Sequence, residues 1–152
     1  MKKKLLFTFI LFITLLLTGC GAKETLESST FKTIMEKKNF NVIDQTSSVI
    51  SENNAVEISY YAETQDKRYA IEYYSFNGEV PAQAFYAKQQ AILGSTGSQA
   101  TTEVNVGNYS KYTMIHNGKF TAISRVSNTV VFVNANNDYA NEIKTLLKDI
   151  GY

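Results

Sequence analysis

The dipeptide Asn117-Gly118 constrains the fold most, because it lies between two runs rich in β-forming residues, "KYTMIH" and "KFTAISRV". Asn-Gly is the strongest short-range signal for a two-residue hairpin turn. Such a turn fixes the register of the two strands. The expected cross-strand pairs are Ile115 with Phe120, Thr113 with Ala122, and Tyr112 with Ile123. The second half of the chain is therefore expected to contain antiparallel strands.

A further turn is expected at Ser127-Asn128, followed by the strand "TVVFVNA". This turn places Phe132 opposite Ile123 and extends the hairpin to three strands. Asn137 or Asp138 then caps a helix in "YANEIKTLLKDIGY", and Gly151 follows its end. The apolar residues at helical spacing are Tyr139, Ile143, Leu146, Leu147 and Ile150.

Two earlier segments, "AVEISYYAE" and "RYAIEYYSF", alternate apolar and polar residues around the turn-rich "TQDK" and predict a second antiparallel hairpin. Strict alternation puts one set on the buried face: Val56, Ile58, Tyr60 and Ala62, with Tyr69, Ile71 and Tyr73. The opposite set contains Glu57, Ser59, Tyr61 and Glu63, with Glu72 and Tyr74. The preceding "NVIDQTSSVI" is a weaker strand candidate.

Two more helices are expected, in "STFKTIMEKKNF" and in "VPAQAFYAKQQAILG". Ser29 or Thr30 can cap the first, and Pro81 and Gly94 suit the first turn and the end of the second. The buried stripe of the second is expected to contain Ala84, Phe85, Ala91 and Ile92. The stretch from Gly94 to Thr102 is expected to be an exposed loop.

These elements predict an α+β fold with an antiparallel sheet of about five to six strands and three helices on one face. Their order also allows a finer arrangement, in which a leading helix precedes two βββα units.

The N-terminus carries three consecutive lysines, an apolar run from Leu5 to Leu17, and the only cysteine of the chain, Cys20. The apolar run has 13 residues, which is shorter than the roughly 20 that a membrane-spanning helix needs. This layout is typical of a secretory signal. The segment Leu17-Thr18-Gly19-Cys20 resembles the lipobox of bacterial lipoproteins. The alternative is an ordinary signal peptide with a free cysteine.

The resemblance implies a diacylglycerol on the Cys20 sulfur and cleavage just before this residue. Residues 1–19 are then a lipoprotein signal peptide, residues 20–29 a lipidated tether, and residues 30–152 a single domain. The expected location is the extracytoplasmic face of the cell membrane. The remaining region is similar in layout and composition to small lipoproteins of low-GC Gram-positive bacteria, a likeness that implies a compartment and no activity.

Loss of the three N-terminal lysines would change the formal net charge from +1 to −2. A nearly neutral domain lacks the basic footprint of a nucleic-acid-binding protein. The 133 residues that remain after cleavage are too few for the two lobes of a solute-binding protein.

No catalytic constellation is visible in the sequence. The chain has one histidine, His116, beside the expected hairpin turn, and Cys20 is assigned to lipid, so a triad or zinc site lacks its residues. Carboxylate pairs such as Glu57 with Glu63, or Asp44 with Glu72, could serve glycoside chemistry, but no spacing singles them out. We expect no enzymatic activity, no cofactor and no metal.

Tyr61 and Tyr74 are expected to share the uncovered face of the first hairpin. Tyrosines on a sheet surface make rigid contacts with a protein or glycan, although strands also favour tyrosine for reasons of packing alone. The sequence thus favours a membrane-anchored binding or interaction module of the cell envelope. The alternatives are an envelope enzyme that uses carboxylates, and a structural or inhibitory partner of another envelope protein.

Overall fold

The computed structural model describes residues 22–97 and 100–152, and these form one antiparallel sheet with helices on both of its faces. The strands are β1 (Phe40–Asp44), β2 (Val56–Thr64), β3 (Ala70–Phe76), β4 (Ala100–Val106), β5 (Tyr109–His116), β6 (Lys119–Val126) and β7 (Thr129–Asn136). The helices are α1 (Ser28–Lys37), α2 (Thr46–Glu52), α3 (Glu79–Gly94) and α4 (Ala140–Asp149), and a 3₁₀ turn, Asn137–Tyr139, precedes α4. The strand order is β1-β2-β3-β7-β6-β5-β4.

The expected register of the second half is confirmed. The pairs Ile115 with Phe120, Thr113 with Ala122, and Tyr112 with Ile123 all occur between β5 and β6. Ile123 also pairs with Phe132 of β7. Both turns need a left-handed backbone, and Asn117, Gly118 and Ser127 have positive φ angles of 48°, 72° and 51°.

The helices lie on both faces of the sheet, so the expectation of a single covered face is wrong. One core cluster joins α1 and α4 to the residues of one face, including Phe31, Tyr73 and Leu147. The other joins α3 to the opposite face, including Tyr86 and Ile123, and Val49 of α2 packs against it. We call these the α1/α4 face and the α2/α3 face.

The α+β class is confirmed, but the seven strands and four helices of the described region exceed the expected counts. β4 begins inside the expected Gly94–Thr102 loop, since its first residue is Ala100. The segment "NVIDQTSSVI" divides into the end of β1 and the short helix α2. Exposed polar residues dominate β4 and α2, which explains why neither shows a buried periodic pattern.

The order strand, strand, strand, helix occurs twice, as β1-β2-β3-α3 and β5-β6-β7-α4, and α1 precedes both. However, α2 interrupts the first unit, β4 precedes the second, and α3 and α4 pack on opposite faces. A two-fold axis that exchanged the antiparallel neighbours β3 and β7 would be perpendicular to the sheet, and it would place both helices on the same face. The two units are therefore not related by that symmetry.

Strict alternation fails at the start of β2. The pairing register with β3 shifts between Val56 and Ile58, and Val56 belongs to the core of the α2/α3 face. A bulge adds one residue to a strand and turns the side chains on either side of it to opposite faces. Tyr60 and Ala62 remain on the α1/α4 face, as expected.

Helix α3 turns a different stripe toward the sheet from the one expected. Its buried residues are Ala82 and Tyr86, and Phe85 is partly buried. Ala84, Ala91 and Ile92 are exposed. The apolar positions of this helix are too evenly spread around its axis to define one stripe, so the contact with β6 and β7 decides its rotation.

Candidate functional site

Tyr61 and Tyr74 lie on the same side of the sheet, as expected, since Tyr61 pairs with Glu72 and Tyr74 is two residues further along β3. That side is the α2/α3 face, so the expectation that it is uncovered is wrong at Tyr74. The Tyr74 ring lies 5.1 Å from the ring of Phe85 in α3, between ring centroids. Its hydroxyl donates to Glu72 Oε2. Burial and this carboxylate raise the pKa of Tyr74.

Tyr61 is less enclosed than Tyr74 and lies beside Ile43 of the edge strand β1. Partial burial, followed by the charges of Glu63 and Glu72, raises the pKa of its hydroxyl. Ile43 is 44% exposed. This corner is a part of the α2/α3 face that remains accessible, and a contact role for Tyr61 stays a prediction.

The carboxylate pairs considered from the sequence are not brought together. Asp44 lies on the α1/α4 side of β1 and Glu72 on the α2/α3 side of β3, as their paired residues show. Glu57 and Glu63 lie six residues apart on one strand, which corresponds to roughly 20 Å. His116 ends β5, and its Nε2 lies 2.8 Å from Asn117 Nδ2.

Cys20 and the predicted signal peptide lie outside the described residues. The segment that follows them contacts the domain. The backbone N–H of Lys23 donates to Asn108 Oδ1 (2.9 Å), and Asn108 Nδ2 donates to the Lys23 carbonyl (2.8 Å). Lys23 Nζ donates to the Gly151 carbonyl (2.8 Å) and lies 3.7 Å from the centroid of the Tyr109 ring. Further on, the Leu26 carbonyl accepts a 2.7 Å hydrogen bond from Tyr73.

The least expected side chain in the sheet is Arg125 of β6, which is only 5% exposed. The strand alternation puts it on the α2/α3 face, opposite Ser110 of β5. Its Nη1 donates to the Ser127 carbonyl (3.0 Å) and its Nη2 to Ser110 Oγ (3.3 Å). Both acceptors are uncharged.

Within the described part of the chain, no carboxylate lies within 4.0 Å of the Arg125 guanidinium, and its Nε has no hydrogen-bond partner. Glu79 is linked to Arg125 only through Ser127. The Ser127 carbonyl accepts from Arg125, and its Oγ donates a 2.6 Å hydrogen bond to Glu79. A buried cation without a counter-charge is costly, because burial removes its hydration. Arg125 is therefore a candidate ligand-binding residue.

A cavity of about 380 Å³ adjoins Arg125, between one side of α3 and the turn that joins β4 to β5. We call it the Arg125 cavity. Its lining residues are Gln83, Tyr86, Ala87, Gln90, Asn105, Val106, Gly107, Tyr109, Ser110 and Arg125. The α3 residues among them follow one another at helical spacing and so form one stripe along the helix. The volume lies within the range of small-ligand sites.

Tyr86 contributes a second polar group without a partner to this cavity. The residue is 4% exposed, and its buried hydroxyl has no hydrogen-bond partner among the described residues. Burial, followed by the charge of Glu103, raises the pKa of Tyr86 to about 12, although the positive charge of Arg125 acts in the opposite direction. The hydroxyl is protonated at neutral pH and can donate a hydrogen bond.

Sequence reasoning did not identify this site, although a signal for Arg125 exists. Arg125 is the only charged residue between Lys119 and Asp138, a stretch otherwise composed of apolar and small polar residues. An isolated arginine inside a buried strand needs a partner or a function. The contribution of Tyr86 could not be predicted, because it depends on the rotation of α3.

A second depression of about 480 Å³ lies beside α4, lined in part by Lys38, Tyr69, Glu142 and Asp149. Its charges are paired: Lys38 with Asp149 at 3.2 Å, and Arg68 with Glu142 at 3.0 Å. Tyr69 also donates to Glu142. These groups satisfy one another, in contrast to those of the Arg125 cavity.

In the part of the chain that the structure covers, no helix is long and apolar enough to cross a membrane. No group of three or more potential metal ligands occurs among the same residues. No family model matches the chain, and comparisons with curated proteins and with solved structures find no match either.

Proposed function

We propose that this protein is a membrane-anchored extracytoplasmic lipoprotein that acts as a binding module at the cell envelope, with the Arg125 cavity as its ligand site. The single observation that supports the binding role is the buried Arg125 guanidinium, which has a free Nε and no adjacent carboxylate among the described residues. A ligand with an anionic group would supply the missing counter-charge.

The lipobox-like segment Leu17-Thr18-Gly19-Cys20 supports the membrane anchor. The docking of Lys23 adds a geometric consequence. Three peptide steps span at most about 11 Å, so a lipid on Cys20 would hold the Lys23 end of the domain near the membrane surface.

The ligand site would share this membrane-proximal end. Asn108, which binds Lys23, belongs to the same turn as Gly107, which lines the Arg125 cavity. The proposal therefore places ligand binding next to the lipid headgroups. The accessible corner around Tyr61 and Ile43 is further along the sheet and serves as a secondary candidate contact with an envelope protein or glycan.

The anchor is tested by metabolic labelling of the full chain with a fatty acid, in wild type and in Cys20→Ala. Label should be present in the wild type and absent in the variant. Because two acyl chains anchor a protein stably, the wild type should also stay with membranes through a high-salt wash.

The double variant Cys20→Ala with Ser29→Cys is the matched control, since it restores one thiol at a position without the motif. Label that persists in Cys20→Ala, or that returns in the control, would refute the lipoprotein assignment.

A further inference from the structure

The Arg125 cavity presents one positive charge and a set of neutral groups. Arg125 supplies the charge, while the remaining lining consists of amides, a serine hydroxyl, tyrosines and small apolar residues. Glu103 lies near the cavity, because it precedes Asn105 of the lining by two residues on β4 and its Oε1 accepts a hydrogen bond from Asn105 Nδ2 (2.7 Å). A single negative charge on a ligand would pair with Arg125, the one charged residue of the lining.

Two residues that line the cavity each carry a buried donor without a partner among the described residues: Arg125 through its Nε–H and Tyr86 through its hydroxyl. Hydrogen bonds from a charged donor to an anionic oxygen are stronger than neutral ones. An anionic oxygen between these donors would satisfy both.

The amide side chains in the lining indicate what the rest of the ligand contains. Gln83 and Gln90 come from α3, and Asn105 comes from β4. Amides donate and accept hydrogen bonds, so they suit hydroxyl or amide groups better than an apolar body. An acidic sugar and an N-acylated amino acid both combine such groups with a carboxylate.

We propose that the Arg125 cavity binds a small monocarboxylate with a polar body, whose carboxylate accepts hydrogen bonds from Arg125 Nε and the Tyr86 hydroxyl. This inference rests on the binding role proposed above and adds the chemical class of the ligand. A phosphate monoester carries close to two negative charges at neutral pH, and the single arginine of the lining would leave one of them uncompensated.

The inference is tested by titration calorimetry on the purified full chain in detergent, at constant ionic strength. The probes are N-acetylglycine and glucuronate. Their neutral counterparts, N-acetylglycinamide and glucose, control for the polar body, and inorganic phosphate is the competing anion. At least one carboxylate should bind saturably, and at least about tenfold more tightly than its neutral counterpart and than phosphate.

Tyr86→Phe removes only a hydroxyl that has no partner in the described structure, so it should leave folding intact and weaken carboxylate binding by about tenfold. Arg125→Gln should weaken it by at least about thirtyfold. Tyr112→Phe, a buried tyrosine of the same face that does not line the cavity, is the matched control and should bind like wild type.

Equal binding of the neutral counterparts, tighter binding of phosphate, or unchanged affinity in folded Tyr86→Phe would each overturn the carboxylate assignment. So would the absence of binding by every carboxylate. Tyr86→Phe keeps the test decisive even where Arg125→Gln fails to fold. Fatty-acid labelling of the same preparation is independent of these results, so a failure of the ligand assignment is distinguishable from a failure of the membrane anchor.

Discussion

The two faces of the sheet differ in whether their buried polar side chains have hydrogen-bond partners. On the α1/α4 face, the Tyr73 hydroxyl donates to the Leu26 carbonyl, and the Tyr152 hydroxyl is hydrogen-bonded to Thr129. On the α2/α3 face, Arg125 Nε and the Tyr86 hydroxyl have no partner among the described residues. Buried polar groups in folded proteins are nearly always satisfied, so such exceptions need an explanation. The difference supports the proposal that the ligand site lies on the α2/α3 face.

Ser124 is an exception on the α1/α4 face. Its buried hydroxyl also lacks a partner among the described residues, although it points to the opposite side of β6 from Arg125. An isolated hydroxyl is a small penalty compared with a buried charge. The combination of a charge, a second free donor and an adjoining cavity distinguishes the α2/α3 face.

The largest expected effect is on the α1/α4 face. Phe31 is fully buried, and its ring stacks on Tyr73 with 4.6 Å between centroids. Phe31→Ala should lower the free energy of unfolding by about 3–5 kcal/mol, measured by urea denaturation. Ile92→Ala, at an exposed position of α3, should change it by no more than about 0.5 kcal/mol. Similar small losses in both variants would mean that α1 does not pack on the sheet.

The two tyrosines of the first hairpin test how far α3 covers the α2/α3 face. Tyr74→Ser removes the contacts with Phe85 and Phe76 and should cost about 2 kcal/mol or more in the free energy of unfolding. Tyr61→Ser should cost about 1 kcal/mol or less, because its side chain lies at the accessible corner. Equal losses, measured under the same denaturing conditions, would contradict the different burial of the two residues.

The sequence predicted the second half of the fold well, because short turns transmit register. The two turns, Asn117-Gly118 and Ser127-Asn128, were sufficient to place Tyr112, Ile123 and Phe132 in one row across three strands. The assignment of helices to faces failed because it depends on contacts between distant segments. Alternation along β3 shows that Tyr74 and Ile71 oppose each other, but it does not show that α3 returns to cover Tyr74. The same long-range contact creates the cavity beside Arg125.

The Asn117-Gly118 turn joins β5 to β6, and each of these strands has side chains on both faces of the sheet. Strain in this turn should therefore lower the stability of the whole domain. Gly118 has a φ angle of +72°, and no atom lies within 4 Å of the position of an added Cβ. Gly118→Val should therefore cost about 1–2 kcal/mol through backbone strain alone, measured as a lower melting temperature. Gly94→Ala in α3 lacks this strain and should be neutral or stabilising by up to about 1 kcal/mol. An unchanged melting temperature in Gly118→Val would refute the left-handed turn.

Tyr86→Phe separates stability from binding on the α2/α3 face. Removal of a buried hydroxyl without a partner should leave the free energy of unfolding unchanged or raise it by up to about 1 kcal/mol. The measurement is urea denaturation without ligand. A loss of more than about 1 kcal/mol would show that the hydroxyl has a structural partner, and would remove it from the ligand site.

The smallest expected effect concerns the start of α2. Asp44 Oδ1 accepts a 2.9 Å hydrogen bond from the Thr46 N–H, and bonds from Thr46 lower the pKa of Asp44. A lowered pKa in the folded state means that this contribution exists above the ordinary aspartate pKa and disappears as the pH falls through the lowered value. Asp44→Ala should cost about 0.5 kcal/mol at neutral pH and nothing in strong acid, measured by denaturation across pH. A cost that persists in acid would contradict the charged hydrogen bond.

The most direct test of the Arg125 cavity is the ¹H–¹⁵N spectrum of the arginine Nε–H groups during titration with the two carboxylate probes. The chain contains only two arginines, Arg68 and Arg125. Arg68 already pairs through its Nε with Asp66 and serves as the internal control. We expect a saturable shift of the Arg125 resonance with at least one carboxylate, no shift with its neutral counterpart, and little change at Arg68. An Arg125 resonance that stays unchanged up to saturating concentrations of both carboxylates, or that moves only in parallel with Arg68, would refute carboxylate binding at Arg125.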